Sequence, residues 1–226
     1  MSQHIELVAL DIAGTTVDEA GLVYRVLEET VADAVGSAVP PDLLLQWKGT
    51  SKREAVAGLL GALEGDTSEV AVDKVHADFS TRLITAYRET PPTPFPGVVE
   101  ALETLHRRDM RVALQTGYSA DIAESMMAGL GWRVGGPLID ALVTSDLVPA
   151  SRPAPYLLFR CMEATGVTST QRVLAAGDTP NDLAAGVNAG VRFVVGVLTG
   201  SFDAATLGRE RHTHLLPSVT QLPEIL

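Results

Sequence analysis

Apolar residues follow two spacings along the chain, one typical of strands and one of helices. The first apolar run, Ile5–Leu10, is short and continuous, which predicts a buried strand. After Gly21 the apolar residues recur every three or four positions, which predicts a helix. They are Leu22, Val23, Val26, Leu27, Val31 and Val35. Arg53–Leu63 and Glu69–Glu89 keep the helical spacing without a clear strand between them, so several helices follow the first strand.

A proline-rich segment, Pro91–Gly97, ends this helical region, because proline stops helices and stiffens linkers. Beyond it, short apolar runs alternate with helical segments. The runs are Val112–Gln115, Ala141–Thr144, Val173–Ala176 and Phe193–Leu198. Strands that alternate with helices predict the right-handed crossovers of a parallel sheet. The last segment, Leu215–Leu226, has no pattern to which we assign an element.

These elements predict an α/β fold with a doubly wound parallel sheet at its core and a small all-helical insertion after the first strand. We assign residues 1–17 and 92–226 to the core domain and residues 18–91 to the helical domain. A chain of 226 residues, 46% of them hydrophobic, is long and apolar enough to bury such a core.

Composition and charge limit the classes of partner. A net charge of −11 without a basic stripe argues against nucleic-acid binding. No apolar run reaches the roughly 18 residues of a membrane-spanning helix, and the N-terminus leads into a strand rather than a signal peptide. We therefore expect a cytoplasmic protein that binds neither nucleic acid nor membrane. The single cysteine, Cys161, lies in an apolar helical stretch and is expected to be a buried thiol.

Carboxylates follow two of the predicted strands. Asp11 comes directly after the first strand, and Asp178 and Asp182 follow the strand that ends at Ala176. Ligand sites of open α/β sheets lie at the carboxyl ends of strands, so all three aspartates are expected to face one site. Their oxygens suit a hard cation such as Mg²⁺. The alternatives are a simple polar turn at Asp11 and helix capping by Asp178 or Asn181.

Two further polar segments lie between these carboxylates. Thr116, Gly117 and Tyr118 follow the strand that ends at Gln115, and Arg152 lies in a turn ahead of an apolar helix. An aspartate at a strand end, a strand-end threonine, a basic residue before a helix and a Gly-Asp turn, in this order, resemble the four motifs of the haloacid dehalogenase superfamily. The resemblance covers essentially the whole chain and implies a Rossmann-like core with a helical cap.

The resemblance also implies how the site works. Asp11 would attack phosphorus to form an aspartyl-phosphate, and Mg²⁺ would be held by Asp11, the Ala13 carbonyl and Asp178. Thr116 and Arg152 would hold the phosphoryl oxygens. The other two predicted roles belong to Asp182, which would orient a metal-bound water or the arginine, and to Thr15, which would bond the phosphoryl group or the nucleophile.

Ala13 departs from the common pattern, because most phosphatases of the superfamily have a second aspartate there that protonates the leaving group. Losing a general acid costs roughly 10² to 10⁴ in rate for an ester. The Asp-x-Ala-Gly-Thr-Thr segment, with Arg152 and Thr116-Gly117-Tyr118, is similar to the phosphonatases, which cleave the carbon–phosphorus bond of phosphonoacetaldehyde. Gly117 and Tyr118 would then bind substrate. The phosphonatase resemblance also suggests a homodimer through the cap.

A phosphonatase needs a lysine in the cap that forms a Schiff base with the aldehyde, and Lys52 aligns best with it. Lys48 and Arg53 are expected to lower the pKa of this lysine by like charge, and Lys48 to take part in substrate binding. Two alternatives stay open for Lys52: a clamp for a second anionic group of the substrate, and a solvated helix start.

The cap departs from the phosphonatases at three positions. Ala55 stands where they usually have histidine, Lys48 where they have methionine, and Gly21 where they tend to have cysteine. The expected substrate is therefore phosphonoacetaldehyde, a related small phosphonate or a small organophosphate. The alternatives are a phosphatase for small phosphomonoesters and a noncatalytic phosphometabolite-binding protein.

Overall fold

The computed structural model describes residues 4–226. Residues 1–3, which we assigned to the core domain, lie outside this part. Six parallel strands form the main sheet of the described chain. They are β1 (Leu7–Leu10), β4 (Arg111–Gln115), β5 (Ala141–Val143), β6 (Val173–Gly177), β7 (Phe193–Val197) and β8 (His214–Leu216). The strand order is β5-β4-β1-β6-β7-β8, which places β1 at the centre. Two short strands, β2 (Val17–Asp18) and β3 (Thr93–Pro94), pair separately as an antiparallel ribbon.

Ten α-helices lie within residues 4–226. Four of them, between β2 and β3, are α1 (Leu22–Val35), α2 (Pro41–Gln46), α3 (Lys52–Ala62) and α4 (Glu69–Glu89). The other six are α5 (Val98–Arg107), α6 (Ala120–Leu130), α7 (Tyr156–Thr165), α8 (Pro180–Ala189), α9 (Ala204–Leu207) and α10 (Leu222–Ile225).

Helices cover both faces of the main sheet. Successive side chains of a strand point to opposite faces, and in β1 Leu7 and Ala9 belong to one apolar cluster while Val8 and Leu10 belong to the other. One cluster includes the buried residues of α7 and α8, and the other includes those of α5 and α6. The predicted α/β fold with a doubly wound parallel sheet is therefore confirmed.

The helices between β2 and β3 pack on one another. Helices α1, α3 and α4 make mutual contacts, and Leu27, Leu59, Phe79 and Leu83 are fully buried among them. The sequence pattern predicted α1, α3 and α4 but not the six-residue α2. The β2–β3 ribbon joins both ends of this helical insertion, where Val17 pairs with Pro94. The exact division into a core and a cap domain stays a prediction.

The C-terminal segment has more structure than its pattern indicates. His214–Leu216 forms β8, which pairs in parallel with β7, and Leu222–Ile225 forms a short helix. All three residues of β8 are only partly buried, so this strand lacks the apolar run that marks the central strands. Cys161 is fully buried as expected, and burial raises the pKa of its thiol to about 12. Between residues 4 and 226, no helix combines the length and apolar character needed to span a membrane.

Candidate active site

The central strands bring the predicted polar residues together at one edge of the sheet. Asp11 follows β1, Thr116 follows β4 and Asp178 follows β6, and these three parallel strands are neighbours. All three side chains are buried. The expected convergence at the carboxyl ends of the strands is therefore observed.

Three carboxylates form a cluster at this edge. Asp11, Asp178 and Asp182 each place one carboxylate oxygen within 4.8 Å of the others. Burial and the neighbouring carboxylates raise the pKa of Asp178 to about 7. Burial also raises the pKa of Asp182, to about 6, although Arg152 opposes the shift. A bound cation would relieve this repulsion, and an all-oxygen donor set suits Mg²⁺, so the residues fit the predicted metal.

Glycines leave room for the Asp178 carboxylate. A Cβ on Gly14 would lie 2.7 Å from Asp178 Oδ2, and one on Gly200 would lie 1.9 Å from it. Thr15 Oγ1 donates to Asp178 Oδ1 at 3.2 Å, and the backbone N–H of Ser201 donates to Oδ2 at 2.9 Å. The Thr15 hydroxyl thus bonds Asp178 in this structure, and its predicted bond to the phosphoryl group or the nucleophile stays a prediction.

Arg152 joins two of the carboxylates. Its Nη2 donates to Asp11 Oδ1 at 2.6 Å, and its Nη1 lies 2.7 Å from Asp182 Oδ1. Gln115 holds the same guanidinium from the side, through its Oε1 at 2.9 Å from Nε and its carbonyl at 2.9 Å from Nη2. Burial lowers the pKa of Arg152, but Asp11 and Asp182 outweigh it and raise that pKa above its ordinary value. Sequence reasoning missed Gln115, which looked like an ordinary strand end.

The start of α8 settles which residue caps this helix. Thr179 is the N-cap, its side chain accepts from the backbone N–H of Asp182, and the Asp182 carboxylate accepts from the backbone N–H of Thr179. Such a capping box satisfies two amides at once. Capping by Asp178 or Asn181 is therefore the wrong interpretation. Asn181 instead donates through Nδ2 to the Lys48 carbonyl at 2.7 Å, which ties the helical insertion to the core.

Lys52 is the first residue of α3 and is only 3% exposed, so the solvated helix start is wrong. Its Nζ donates to the Thr50 carbonyl at 3.1 Å, and its backbone N–H donates to the Gly117 carbonyl at 3.1 Å. A Cβ on Gly117 would lie 2.3 Å from the Thr50 oxygen, so only glycine permits this approach. Gly117 therefore lets the loop before α3 come close to the end of β4.

Burial lowers the pKa of Lys52 to about 8, and Arg152 adds to the decrease while Asp11 opposes it. The prediction that Lys48 and Arg53 supply the like charge is wrong, because the cation that lowers this pKa is Arg152. The Arg53 side chain is 42% exposed and pairs with Glu69 and, at 2.8 Å, with Asp73. The cation that acts on Lys52 comes from the core, a contribution that neighbouring positions in the sequence did not indicate.

Lys48 and Lys52 flank the ring of Tyr24. Their Nζ atoms lie 4.7 Å and 5.1 Å from its centroid, respectively. Burial lowers the pKa of the half-buried Lys48, against the opposing charges of Asp178 and Glu19. The Tyr24 hydroxyl accepts from the backbone N–H of Gly49 at 3.1 Å. Tyr24 was missed, because its position in α1 is that of an ordinary amphipathic helix.

Tyr118 connects the site to two buried residues that the sequence did not indicate. Its hydroxyl oxygen lies 2.8 Å from that of Tyr87, and the Tyr87 hydroxyl donates to Glu19 at 3.3 Å. The Nζ of Lys52 lies 5.7 Å from the centroid of the Tyr118 ring. Burial raises the pKa of Glu19.

These residues surround a small cavity between the sheet and the helical insertion. Its lining includes Asp11, Ala13, Lys52, Tyr118 and Arg152. The free volume is about 20 Å³, close to that of one water molecule. The lining of this cavity combines a buried carboxylate, a fixed guanidinium and a buried amine.

Comparison with known proteins agrees with this geometry. Residues 5–190 match the haloacid dehalogenase-like hydrolase family. A phosphonoacetaldehyde hydrolase from Parabacteroides distasonis is 35% identical over 60% of this chain and 50% of its own length. One from Bacteroides fragilis is 34% identical over 55% of this chain and 46% of its own length. The chain thus spans about half the length of these curated relatives.

Solved structures with low sequence identity share the fold. A hydrolase from Pseudomonas syringae superposes with a TM-score of 0.85 at 19% identity, covering 98% of each chain. A phosphonoacetaldehyde hydrolase like protein from Oleispira antarctica gives 0.79 at 20% identity, over 98% of this chain and 91% of the other. A β-phosphoglucomutase from Clostridium difficile gives 0.82 at 18% identity, over 96% and 93%.

Proposed function

This chain belongs to the haloacid dehalogenase-like hydrolase family, and on that basis we propose that it cleaves the carbon–phosphorus bond of phosphonoacetaldehyde or a related small phosphonate. The observation that carries the proposal is Lys52. Its amine is buried, lines the same cavity as Asp11, and has a pKa lowered to about 8 by burial. An amine must be neutral to attack a carbonyl carbon, and this lysine is neutral in a useful fraction near pH 8.

The leaving group explains why a lysine replaces an acid. The side chain at position 13 is a methyl group and donates no proton. When Lys52 has condensed with the aldehyde and released water, its protonated imine accepts the electron pair of the breaking carbon–phosphorus bond and becomes an enamine. Asp11 forms the new oxygen–phosphorus bond. Water then hydrolyses the aspartyl-phosphate, and protonation and hydrolysis of the enamine release the aldehyde product and the free amine.

The remaining polar groups have matching roles in this proposal. Arg152 orients the Asp11 carboxylate through the 2.6 Å bond and places positive charge beside the phosphoryl oxygens. Thr116 directly follows β4 and lines the same cavity. Mg²⁺, held by Asp11, Asp178 and the Ala13 carbonyl, would neutralise phosphoryl charge when bound. Asp182 keeps Arg152 in place.

Substrate entry requires the helical insertion to move, because a cavity of about 20 Å³ is smaller than a phosphonate. The loop before α3 is held to the core by hydrogen bonds from Lys52 to Gly117 and from Asn181 to Lys48. Breaking these bonds opens the site, and re-forming them excludes water that would hydrolyse an imine. We place the hinges at Val17 and Pro96, next to the β2–β3 ribbon.

A phosphatase for small phosphomonoesters is the second candidate. Two lysines, Lys48 and Lys52, flank Tyr24 beside the cavity, and such a pair suits a second anionic group of a substrate. In that case Lys52 acts as a cation and forms no covalent bond.

One experiment separates the two candidates. Purified protein with Mg²⁺ is offered phosphonoacetaldehyde and a panel of small phosphomonoesters, phosphate release is measured, and Asp11→Asn serves as the blank. Borohydride is added in a parallel reaction, and the adduct is located by peptide mass spectrometry. Phosphonate turnover with an adduct on Lys52 supports the proposal. Ester turnover that survives Lys52→Ala, without an adduct, contradicts it, and binding without any turnover indicates a noncatalytic protein.

A further inference from the structure

A chain of three buried side chains runs from the helical insertion to the cavity. Glu19 Oε2 accepts from the backbone N–H of Val23 at 2.7 Å and from the Tyr87 hydroxyl at 3.3 Å. The hydroxyl oxygens of Tyr87 and Tyr118 lie 2.8 Å apart. Glu19, Tyr87 and Tyr118 are 7%, 5% and 2% exposed, respectively, so solvent competes little for these bonds. The phosphoryl chemistry uses none of the groups at the Glu19 end.

Glu19 determines which way the hydroxyl protons point. Its Oε2 accepts two hydrogen bonds, so it is an acceptor whether or not the other carboxyl oxygen carries a proton. The Tyr87 proton therefore points at Glu19, and the Tyr87 oxygen accepts the proton of Tyr118. The Tyr118 oxygen is left with lone pairs alone for a further partner. Tyr118 lines the cavity that it shares with Lys52.

Resting on the function proposed above, we propose that Glu19 is a positioning residue which, through Tyr87, presents the Tyr118 hydroxyl oxygen as a hydrogen-bond acceptor to the organic half of the substrate. A group with an N–H or O–H is favoured there, including the protonated imine formed at Lys52. A group that only accepts, such as a carboxylate, leaves the Tyr118 oxygen facing another acceptor. Sites built for one hydrogen-bond polarity reject the other strongly, because a buried polar group is then left unpaired.

The test uses two phosphonates that differ in the polarity of their free end. The ammonium group of 2-aminoethylphosphonate only donates, and the carboxylate of phosphonoacetate only accepts. Dissociation constants for both are measured by calorimetry with Mg²⁺ present. Tyr87→Phe removes the acceptor of the Tyr118 proton and lets that proton turn to the cavity. We expect it to weaken the ammonium ligand, tighten the carboxylate ligand, and shift the ratio of the two constants about tenfold, the effect of about one hydrogen bond.

A second variant and a matched control keep the result interpretable. Glu19→Gln preserves shape but offers both a donor and an acceptor, so we expect a shift in the same direction that is smaller than in Tyr87→Phe. Tyr156→Phe removes a hydroxyl from a tyrosine that is 42% exposed, and it should leave the ratio unchanged. A purely structural loss weakens both ligands together and does not move their ratio.

The two ways of failing are distinct. If wild-type protein binds both phosphonates and neither variant changes the ratio of constants, the positioning role of Glu19 is overturned while the proposed function stands. If wild-type protein binds neither phosphonate, the positioning role is overturned, and phosphate release from phosphonoacetaldehyde, measured in parallel, decides separately whether the proposed function stands.

Discussion

Arg152 binds the Asp11 carboxylate through a hydrogen bond of 2.6 Å, although 141 residues separate the two in the chain. The same guanidinium lies 2.7 Å from Asp182 and lowers the pKa of Lys52. One buried cation therefore orients the predicted nucleophile, balances the carboxylate cluster and favours the neutral form of the predicted Schiff-base lysine. The orientation of Asp11, the charge of the carboxylate cluster and the protonation of Lys52 therefore all depend on Arg152.

The Lys52 amine should form an imine at a rate that depends on pH. Because the pKa of Lys52 is about 8, trapping of an aldehyde by borohydride is expected to rise as the pH increases through 8 and then to level off. Mass spectrometry of the labelled peptide measures this rate. Lys74, which is exposed in α4 and lies outside the cavity, serves as the internal control for labelling that does not depend on the site. A Lys52 labelling rate that keeps rising well above pH 8 would contradict the lowered pKa.

Replacing Lys52 should stabilise the protein while abolishing phosphonate cleavage. Below pH 8 the folded protein holds a buried ammonium, so we expect Lys52→Met to raise the free energy of unfolding at pH 7 by about 1–3 kcal/mol. Between pH 8 and 10.5 the Lys52 amine is neutral in the folded wild type but protonated in the unfolded chain. The free energy of unfolding of the wild type therefore rises with pH, and the advantage of Lys52→Met shrinks. Urea denaturation at pH 7 and pH 10 checks both values, with Lys74→Met as control.

Removing Arg152 should destabilise the protein most at high pH. Arg152→Gln leaves Asp11 and Asp182 unpaired, and loss of one partner of a buried ion pair costs about 3–5 kcal/mol. The pKa of Asp182 then rises further, so the folded state binds more protons than the unfolded state. Stability of the variant therefore falls as the pH rises from 5 to 8. Denaturation curves at both pH values test this, and exposed Arg133→Gln should keep the pH dependence of the wild type.

The close contact between the loop before α3 and the end of β4 should depend on Gly117. In Gly117→Ala the new methyl group meets the Thr50 carbonyl, because the Cβ would lie 2.3 Å from that oxygen. Overpacking of this kind costs about 1–3 kcal/mol, and we expect kcat and KM to change together. Gly129→Ala in α6 is the matched control, because its Cβ meets nothing within 4 Å. This substitution should raise the free energy of unfolding by about 0.5–1 kcal/mol. Steady-state kinetics and thermal melts distinguish the two variants.

We expect the carboxylate cluster to bind Mg²⁺ and, when the metal is absent, to lower the stability of the folded protein. Asp178→Asn removes one of three crowded carboxylates, so its melting temperature without metal is expected to rise. Wild-type protein should gain about 2.7 kcal/mol when Mg²⁺ reaches one hundred times its dissociation constant, and the variant should gain much less. Thermal melts over a Mg²⁺ series measure both, with exposed Asp42→Asn as control. An equal gain in wild type and Asp178→Asn would place the metal elsewhere.

The local sequence pattern alone predicted much of the secondary structure and the positions of three residues of the site. The apolar runs predicted five strands of the main sheet, and the helical spacing predicted Glu69–Glu89 with its observed bounds. The positions of Asp11, Thr116 and Asp178 followed from the strand ends, because parallel strands bring their carboxyl ends to one edge. Short or half-buried elements such as α2 and β8 carry too few apolar positions to be predicted this way.

Only the tertiary structure determines how the side chains at the site are oriented and how their pKa values shift. Arg53 is adjacent to Lys52 in sequence but points to solvent, whereas Arg152 lies 100 positions away and acts on it. Likewise, Tyr87 lies between Glu19 and Tyr118 only because α4 packs against the core. A pKa depends on burial and on charges a few ångströms away, and these quantities exist only once distant segments have packed together.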